Sequence, residues 1–186
     1  MKVINTEFPG LMIIEPKVFG DDRGYFFESY NEKLMLNAGI QTVFIQDNQS
    51  FSKYGVIRGL HFQRNPYSQT KLIRVIEGSI FDVALDLRKG SPTFGKWFGL
   101  ELSAENKQQV YIPQGFAHGF SVLSQKAIIL YKCDNLYNPL FEGGVLYNDP
   151  ALGIDWKVDA TKAIVSDKDR ILPTFEQVQP NFVYQP

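Results

Sequence analysis

The sequence predicts an all-β domain, a sandwich, jelly roll or barrel, and three observations carry that prediction. The first is strict period-two patterning from Lys71 to Arg88. Leu72, Arg74 and Ile76 fall on one face and Ile73, Val75 and Glu77 on the other. After Gly78–Ser79, Phe81, Val83, Leu85 and Leu87 alternate with Asp82, Ala84, Asp86 and Arg88. Such alternation about a Gly turn predicts a β-hairpin. The second is a series of short apolar or aromatic runs separated by turn residues. Strands are expected at Thr42–Gln46, Gly95–Leu102, Gln109–Ile112, Phe120–Val122 and Ala127–Lys132. Their turns are Ser91–Pro92, Ser103–Asn106 and Pro113–Gly115. The third is an aromatic content of 14%, with 15 Phe, 9 Tyr and 2 Trp, because aromatic residues favour strands and pockets. Helices are few: Asn31–Gly39 reads as one short helix, with Asn31 as its cap and Gly39 as its stop. A barrel interior is a natural pocket, and Lys71 and Asp82, on strand-like segments, could point into it.

A chain of 186 residues suits one domain, taken as residues 1–186. At that size about two-thirds of the unfolded surface is buried, so neither metal nor disulfide is needed to hold a core. The net charge of −1 gives no global field for nucleic acid or an anionic membrane. An anionic ligand must then be captured by locally placed Arg and Lys. The one cysteine, Cys133, cannot make an internal disulfide or a thiolate metal cage. Its strand-like setting reads as a buried, inert thiol. Residues 1–14 carry a single Lys, and Asn5, Glu7 and Pro9 break their apolar run, which does not describe a signal peptide. No apolar run approaches the roughly 20 residues needed to cross a bilayer. The expected location is the cytoplasm.

The chemistry-bearing residues begin with the only two histidines, His61 in Val56–Gln63 and His118 in Ile112–Phe120. A lone His in an apolar strand is more often structural than catalytic. Here Arg58 and His61 flank a Gly, and Gly115 and Gly119 bracket His118, as tight backbone positions would. A metal site usually needs two or three His plus a carboxylate. Gln63 stands two positions after His61, where a second ligand would be wanted, so no metal is expected. A neutral imidazole suits base catalysis near neutrality and works best when a carboxylate orients its other nitrogen. Ser166–Asp167–Lys168–Asp169 offers such a carboxylate, although the same residues also read as a solvated charged turn.

These segments resemble one family. Val56–Gln63, Lys71–Val75, Phe81–Arg88, Ser91–Gly95, Leu102–Asn106, Ile112–Phe120, Leu130–Lys132, Asn148–Pro150, Gly153–Trp156 and Ser166–Asp169 are similar, in order and spacing, to the motifs of the dTDP-4-dehydrorhamnose 3,5-epimerases. The likeness runs from about Glu15 to Pro173. It implies a cupin-type jelly-roll barrel, a homodimer, no cofactor, and a nucleotide-linked keto-sugar substrate inverted at carbons 3 and 5. By resemblance His61 matches the base, Asp169 the carboxylate that orients it, and Tyr131 the acid on the other side of the ring. Lys71 and His118 match substrate contacts. Arg23, Glu28, Gln46, Asp47, Asn48, Arg58, Glu142 and Lys168 match other ligand-contacting positions, and Tyr137 the ring that stacks on the base. Tyr111 and Tyr147 stand where Trp is frequent, which bears on pocket shape. The chemistry agrees: a ketone at carbon 4 acidifies its neighbours, and the developing oxyanion needs a preorganised cation or donor. Lys71 suits that role, with His118 as a second donor, and Arg23 and Arg58 suit a diphosphate. Three rival readings remain open: an epimerase of one carbon or of another keto-sugar, a binding-only cupin, and a metal-dependent cupin.

Overall fold

The computed structural model describes residues 1–185. In chain order the strands are β1 (Lys2–Asn5), β2 (Met12–Glu15), β3 (Phe19–Asp21), β4 (Gly24–Phe26), β5 (Gln46–Lys53), β6 (Ile57–Gln63), β7 (Lys71–Glu77), β8 (Ser79–Asp86), β9 (Trp97–Ser103), β10 (Gln109–Ile112), β11 (Phe116–Val122), β12 (Lys126–Cys133) and β13 (Glu142–Gly144). Helix α1 (Glu32–Asn37) precedes β5, and α2 (Asp167–Arg170) lies near the C-terminus. A six-stranded sheet has the order β1-β2-β10-β7-β12-β5, a five-stranded sheet the order β13-β6-β11-β8-β9, and β3-β4 form a separate hairpin. The two larger sheets face each other over an apolar core that includes Ile73, Ile80, Ala84, Phe116, Phe120 and Ile129. This is the jelly-roll barrel that the family resemblance implies, and one of the three all-β architectures that the strand pattern leaves open.

The expected hairpin from Lys71 to Arg88 does not form. β7 pairs with β10 and β12, whereas β8 pairs with β11 and β9. The turn at Gly78 therefore carries the chain from one sheet to the other. Alternation reports which face a side chain takes, and a sheet-changing corner needs as tight a turn as a hairpin does. β8 is buried on both faces. Phe81, Val83 and Leu85 pack beneath a C-terminal wrap that includes Trp156, Val165 and Phe182, so the Asp82–Asp86 face looks into the barrel rather than to solvent.

The other differences are local. The strand expected over Thr42–Gln46 begins only at Gln46. The Thr42 hydroxyl hydrogen-bonds Tyr111 at 2.7 Å, and Phe44 packs on Tyr30, so this stretch lies over the outer face of the six-stranded sheet. Helix α1 covers the same face, with Asn31 Oδ1 accepting from the Leu34 N–H at 3.2 Å and Met35 buried on Ile14, Leu72 and Tyr111. Tyr111 thus belongs to that outer layer, and Tyr147 packs in the C-terminal wrap. Neither shapes the cavity described below.

Candidate active site

The site lies between the two large sheets, at inward-facing positions of both. A cavity of about 560 Å³ is lined by Arg58, His61 and His118 from the five-stranded sheet, by Lys71, Tyr131 and Ser50 from the six-stranded one, and by Lys168 and Asp169 from α2. An adjoining pocket of about 310 Å³ shares His61, Lys71 and Tyr131 and adds Gln46, Asn48, Tyr137 and Glu142.

Arg58 and His61 are three residues apart, and in a regular strand they would face opposite sides. β6 pairs His61 with His118 and Arg58 with Phe120, so two residues, Gly59 and Leu60, oppose Gly119 alone. This β-bulge resets the alternation and turns both side chains into the cavity. The bulge requires glycine on both strands. Gly59 has φ +118, and a Cβ there would lie 2.6 Å from Gly119 Cα. A Cβ on Gly119 would lie 2.6 Å from Arg58 O.

His61 Nε2 is 2.7 Å from Asp169 Oδ1, and the Gly59 N–H donates to Asp169 Oδ2 at 3.2 Å. The Ile57 N–H donates to Ile164 O, and the Ile164 N–H to Gly55 O, which pins the segment before α2 beside β6. Ser166 Oγ then caps the helix by accepting from the Asp169 N–H at 3.1 Å. The charged run is thus a short helix with its other residues exposed and only Asp169 turned inwards, its side chain 5% exposed against 33% for His61. An ionised carboxylate only accepts, so the imidazole proton sits on Nε2 and the Nδ1 lone pair is free. His118 Nε2 meets Asp82 Oδ2 at 2.8 Å in the same fashion. Burial holds His118 below the usual imidazole range against the pull of Asp82.

On the facing sheet Lys71 begins β7, with its Nζ 5.9 Å from the centroid of the Tyr131 ring. Burial lowers the Lys71 ammonium from its ordinary value, while Cys133, Asp82 and Glu142 pull it back up. Burial also raises the Tyr131 phenol, so it keeps its proton at neutral pH. Ser52 Oγ accepts from Arg58 Nε at 3.0 Å and fixes that guanidinium at the rim. Across the mouth Lys168 and Tyr137 both bond Glu142 Oε2, at 2.7 and 2.8 Å. Burial opposes ionisation of Glu142, but those two bonds hold its carboxyl below the usual range. Cys133 is fully buried, its thiol raised by burial, as an inert thiol would be.

An imidazole and a proton-bearing phenol thus line opposite walls of one cavity, with a buried lysine beside the phenol. A sequence model of the dTDP-4-dehydrorhamnose 3,5-epimerases matches residues 5–177. The chain belongs to the dTDP-4-dehydrorhamnose 3,5-epimerase family. It is 54% identical to the Shigella flexneri dTDP-4-dehydrorhamnose 3,5-epimerase over 91% of this chain and 93% of that protein. The crystal structure of the Elizabethkingia anophelis enzyme of the same name superposes with a TM-score of 0.90 at 53% identity, covering 95% of this chain and 97% of that one. A Legionella pneumophila dTDP-6-deoxy-D-glucose-3,5-epimerase, solved with dTDP-4-keto-L-rhamnose, gives 0.93 at 46% identity over 100% and 99% of the two chains.

Three residues matched to the epimerase family's ligand contacts lie off this cavity. Arg23 is exposed on the β3–β4 hairpin, bonded to Asp21. Glu28 is also exposed and accepts from Asn31 Nδ2 at 3.0 Å. Asp47 falls between the inward Gln46 and Asn48, so it points outwards and pairs with Lys132 at 2.8 Å. Conversely, Ser50 lines the cavity and Ser52 holds Arg58 without any sequence expectation, and Asp82, expected only to face inwards, reaches the site through His118. The only available signal was period two: Gln46, Asn48, Ser50 and Ser52 form one polar row along β5.

Proposed function

We propose that this chain inverts carbons 3 and 5 of dTDP-4-dehydro-6-deoxy-D-glucose, giving dTDP-4-dehydro-L-rhamnose, by metal-free proton transfer. The observation that carries the reading is the placement of His61 and Tyr131 on opposite sheets around one cavity. Packed sheets stand about 10 Å apart, room for a sugar ring with one group on each side. His61 Nδ1 removes the proton from a carbon next to the ketone, and the electron pair passes to the carbonyl oxygen. The Lys71 ammonium stabilises that oxyanion, usually the largest single catalytic contribution. Tyr131 delivers its phenolic proton to the opposite face of the same carbon. The imidazolium and phenolate left behind are reset by exchange with solvent before the second carbon reacts. Arg58 binds the diphosphate, and Gln46, Asn48, Tyr137, Glu142 and Lys168 bind the remainder of the nucleotide sugar.

The metal-free assignment is supported by the donor set, since the cavity offers only two histidines and, among the described residues, no three His, Cys, Asp or Glu side chains come together where they could hold an ion. Incubation with the keto-sugar in deuterated water, after dialysis against a strong chelator, should give inverted product labelled at both carbons. Label at one carbon only would mark a single-carbon epimerase. Activity lost to the chelator and restored by iron, manganese or zinc would overturn the metal-free reading.

A second copy of the chain completes the proposal. Tyr25 and Phe26 on the β3–β4 hairpin are 60% and 66% exposed, and Phe51 and Ile76 are exposed on the outer face of the six-stranded sheet. Apolar surface of this kind marks a protein contact. In a homodimer the hairpin would carry Arg23 and Glu28 to the cavity of the neighbouring copy. Arg23→Ala and His61→Ala, each impaired alone, should then regain activity when co-expressed, because one of the two sites is restored. Absence of complementation in a demonstrated heterodimer would confine each site to one chain. Among the described residues no helix is long and apolar enough to cross a membrane. A soluble nucleotide sugar and a lone unpaired cysteine suit the reducing cytoplasm.

A further inference from the structure

We propose that Asp82 is a positioning residue that fixes His118 as a hydrogen-bond acceptor, so that His118 Nδ1 holds a sugar hydroxyl and leaves the ketone oxygen to Lys71. The proposal rests on the keto-sugar reading and revises one part of it, the expectation that His118 donates to the oxyanion.

The argument starts from the pairing of the strands. Asp82 lies on β8 opposite Phe120, two residues from His118 on β11, and both side chains point into the barrel. Strand positions this close leave the pair little freedom to rearrange. The Asp82 Oδ2 to His118 Nε2 contact of 2.8 Å joins side chains that are only 3% and 10% exposed. An ionised carboxylate has no proton to give, so the imidazole proton must sit on Nε2. A neutral imidazole carries only one such proton, which leaves Nδ1 with a lone pair. Burial disfavours a second proton, and the nearby Lys71 and His61 add like charge against it, with Asp82 the only group opposing them.

Among the described residues Nδ1 has no hydrogen-bond partner. It is not sealed off either: among the described residues the only fully buried side-chain N or O atom without a hydrogen bond is Ser50 Oγ. Since His118 lines the cavity, Nδ1 opens towards the substrate. A lone pair directed at a developing oxyanion would repel it. Lys71, which can only donate, is the complementary group for that oxygen. His118 instead fits a donor, and the donors that the sugar offers are its hydroxyls, at carbons 2 and 3. The carboxylate behind the imidazole therefore sets which substrate group the ring accepts, and so takes part in specificity.

The tautomer can be read without turnover, from the ¹⁵N chemical shifts and ring couplings of histidine-labelled wild-type protein, assigned with His61→Gln. The expected state near pH 7 is an unprotonated His118 Nδ1 and a protonated Nε2, with Asp82→Leu shifting the ring towards a tautomer mixture. A protonated Nδ1 in the wild type would overturn the proposal while leaving the epimerase reading intact. In a second measurement, substrate analogues lacking the 2- or 3-hydroxyl are compared on wild type and Asp82→Leu. One analogue should bind the wild type about 10–100-fold more weakly, and should lose little further on Asp82→Leu. Equal, additive losses for every analogue would assign the hydroxyls to other groups and overturn the inference. Failure of the wild type on the keto-sugar itself, with the tautomer as expected, would instead count against the substrate.

Discussion

His61 and His118 sit directly opposite each other on paired strands, each bonded through Nε2 to a carboxylate, yet their surroundings differ. Asp169 arrives from a helix 108 residues further along the chain and is also held by the Gly59 N–H, while His61 stays one-third exposed. Asp82 lies inside the barrel wall, and His118 is nearly closed off. The carboxylate orients the ring in both pairs. Access then separates the uses proposed for them, because a base must meet carbon, take a proton and return it to solvent. A ring held neutral in the wall is better suited to binding. Asp86 extends the comparison. It is on the same strand face as Asp82, but it accepts from Arg88 Nε, Nη2 and N–H and from the Ser91 and Thr93 hydroxyls. With every lone pair engaged by protein, Asp86 holds the loop after β8 in place and has nothing left for a ligand.

The largest expected effect breaks the exposed pair. His61→Ala should lower both epimerisation and deuterium exchange by on the order of 10²–10⁴, the usual cost of losing a positioned general base. Asp169→Asn should follow, because an amide that donates to Nε2 moves the ring proton onto Nδ1 and removes the basic lone pair. Substrate affinity, measured by calorimetry, should change much less. An Asp169→Asn enzyme that matched the wild type would remove the dyad from the mechanism.

Next in size is the division of labour across the cavity. With Tyr131→Phe, His61 can still form the enolate and return a solvent-exchanged proton to the same face. The variant should incorporate deuterium next to the ketone yet give little inverted product, apart from leakage through a water in place of the phenol. Equal loss of exchange and inversion, with binding intact, would show that Tyr131 is needed to form the enolate as well as to quench it.

The comparison also shows what could be read from the sequence. Strand alternation exposed β7 and β8 almost residue for residue, and it placed Lys71 and Asp82 inside. It missed β5, because a strand whose inward face lines a wet cavity, Gln46–Asn48–Ser50–Ser52, carries no hydrophobic period. It misjudged the partner of β8, since pairing across a tight turn depends on tertiary burial that no local pattern encodes. His61 and Asp169, far apart in sequence, were joined by resemblance to a family. The Gly59 bulge that aims His61 and Arg58 into one cavity shows in sequence only as a glycine between them. Arg23, Glu28 and Asp47 were grouped with the site by the same resemblance, and in one chain their strand positions and exposure keep them apart from it.

The smallest expected effect concerns the buried pair and is read from stability rather than activity. His118 is lowered by burial in the folded state, whereas in the unfolded chain an imidazole titrates near 6.5. As pH falls through about 6.5, the unfolded state therefore takes up a proton that the folded state refuses. The unfolded form gains, so stability present above that pH is lost progressively as the solution becomes more acidic. One proton per molecule limits the slope to about 1.4 kcal/mol per pH unit, or a fall in Tm of about 3–5 °C per unit for a domain of this size. The carboxylates held low by their partners, Asp86 and Glu142, begin to contribute only nearer pH 4–5, which keeps them out of the range from about pH 5 to 6.5 in which His118 is read. Replacing His118 by Gln removes its share, and the decline in Tm over that range should become shallower than in the wild type. Parallel curves for the two proteins would mean that His118 binds its proton as readily folded as unfolded. The difference in access between the two His–Asp pairs would then have no thermodynamic counterpart, and the acceptor role of His118 would lose its neutral imidazole.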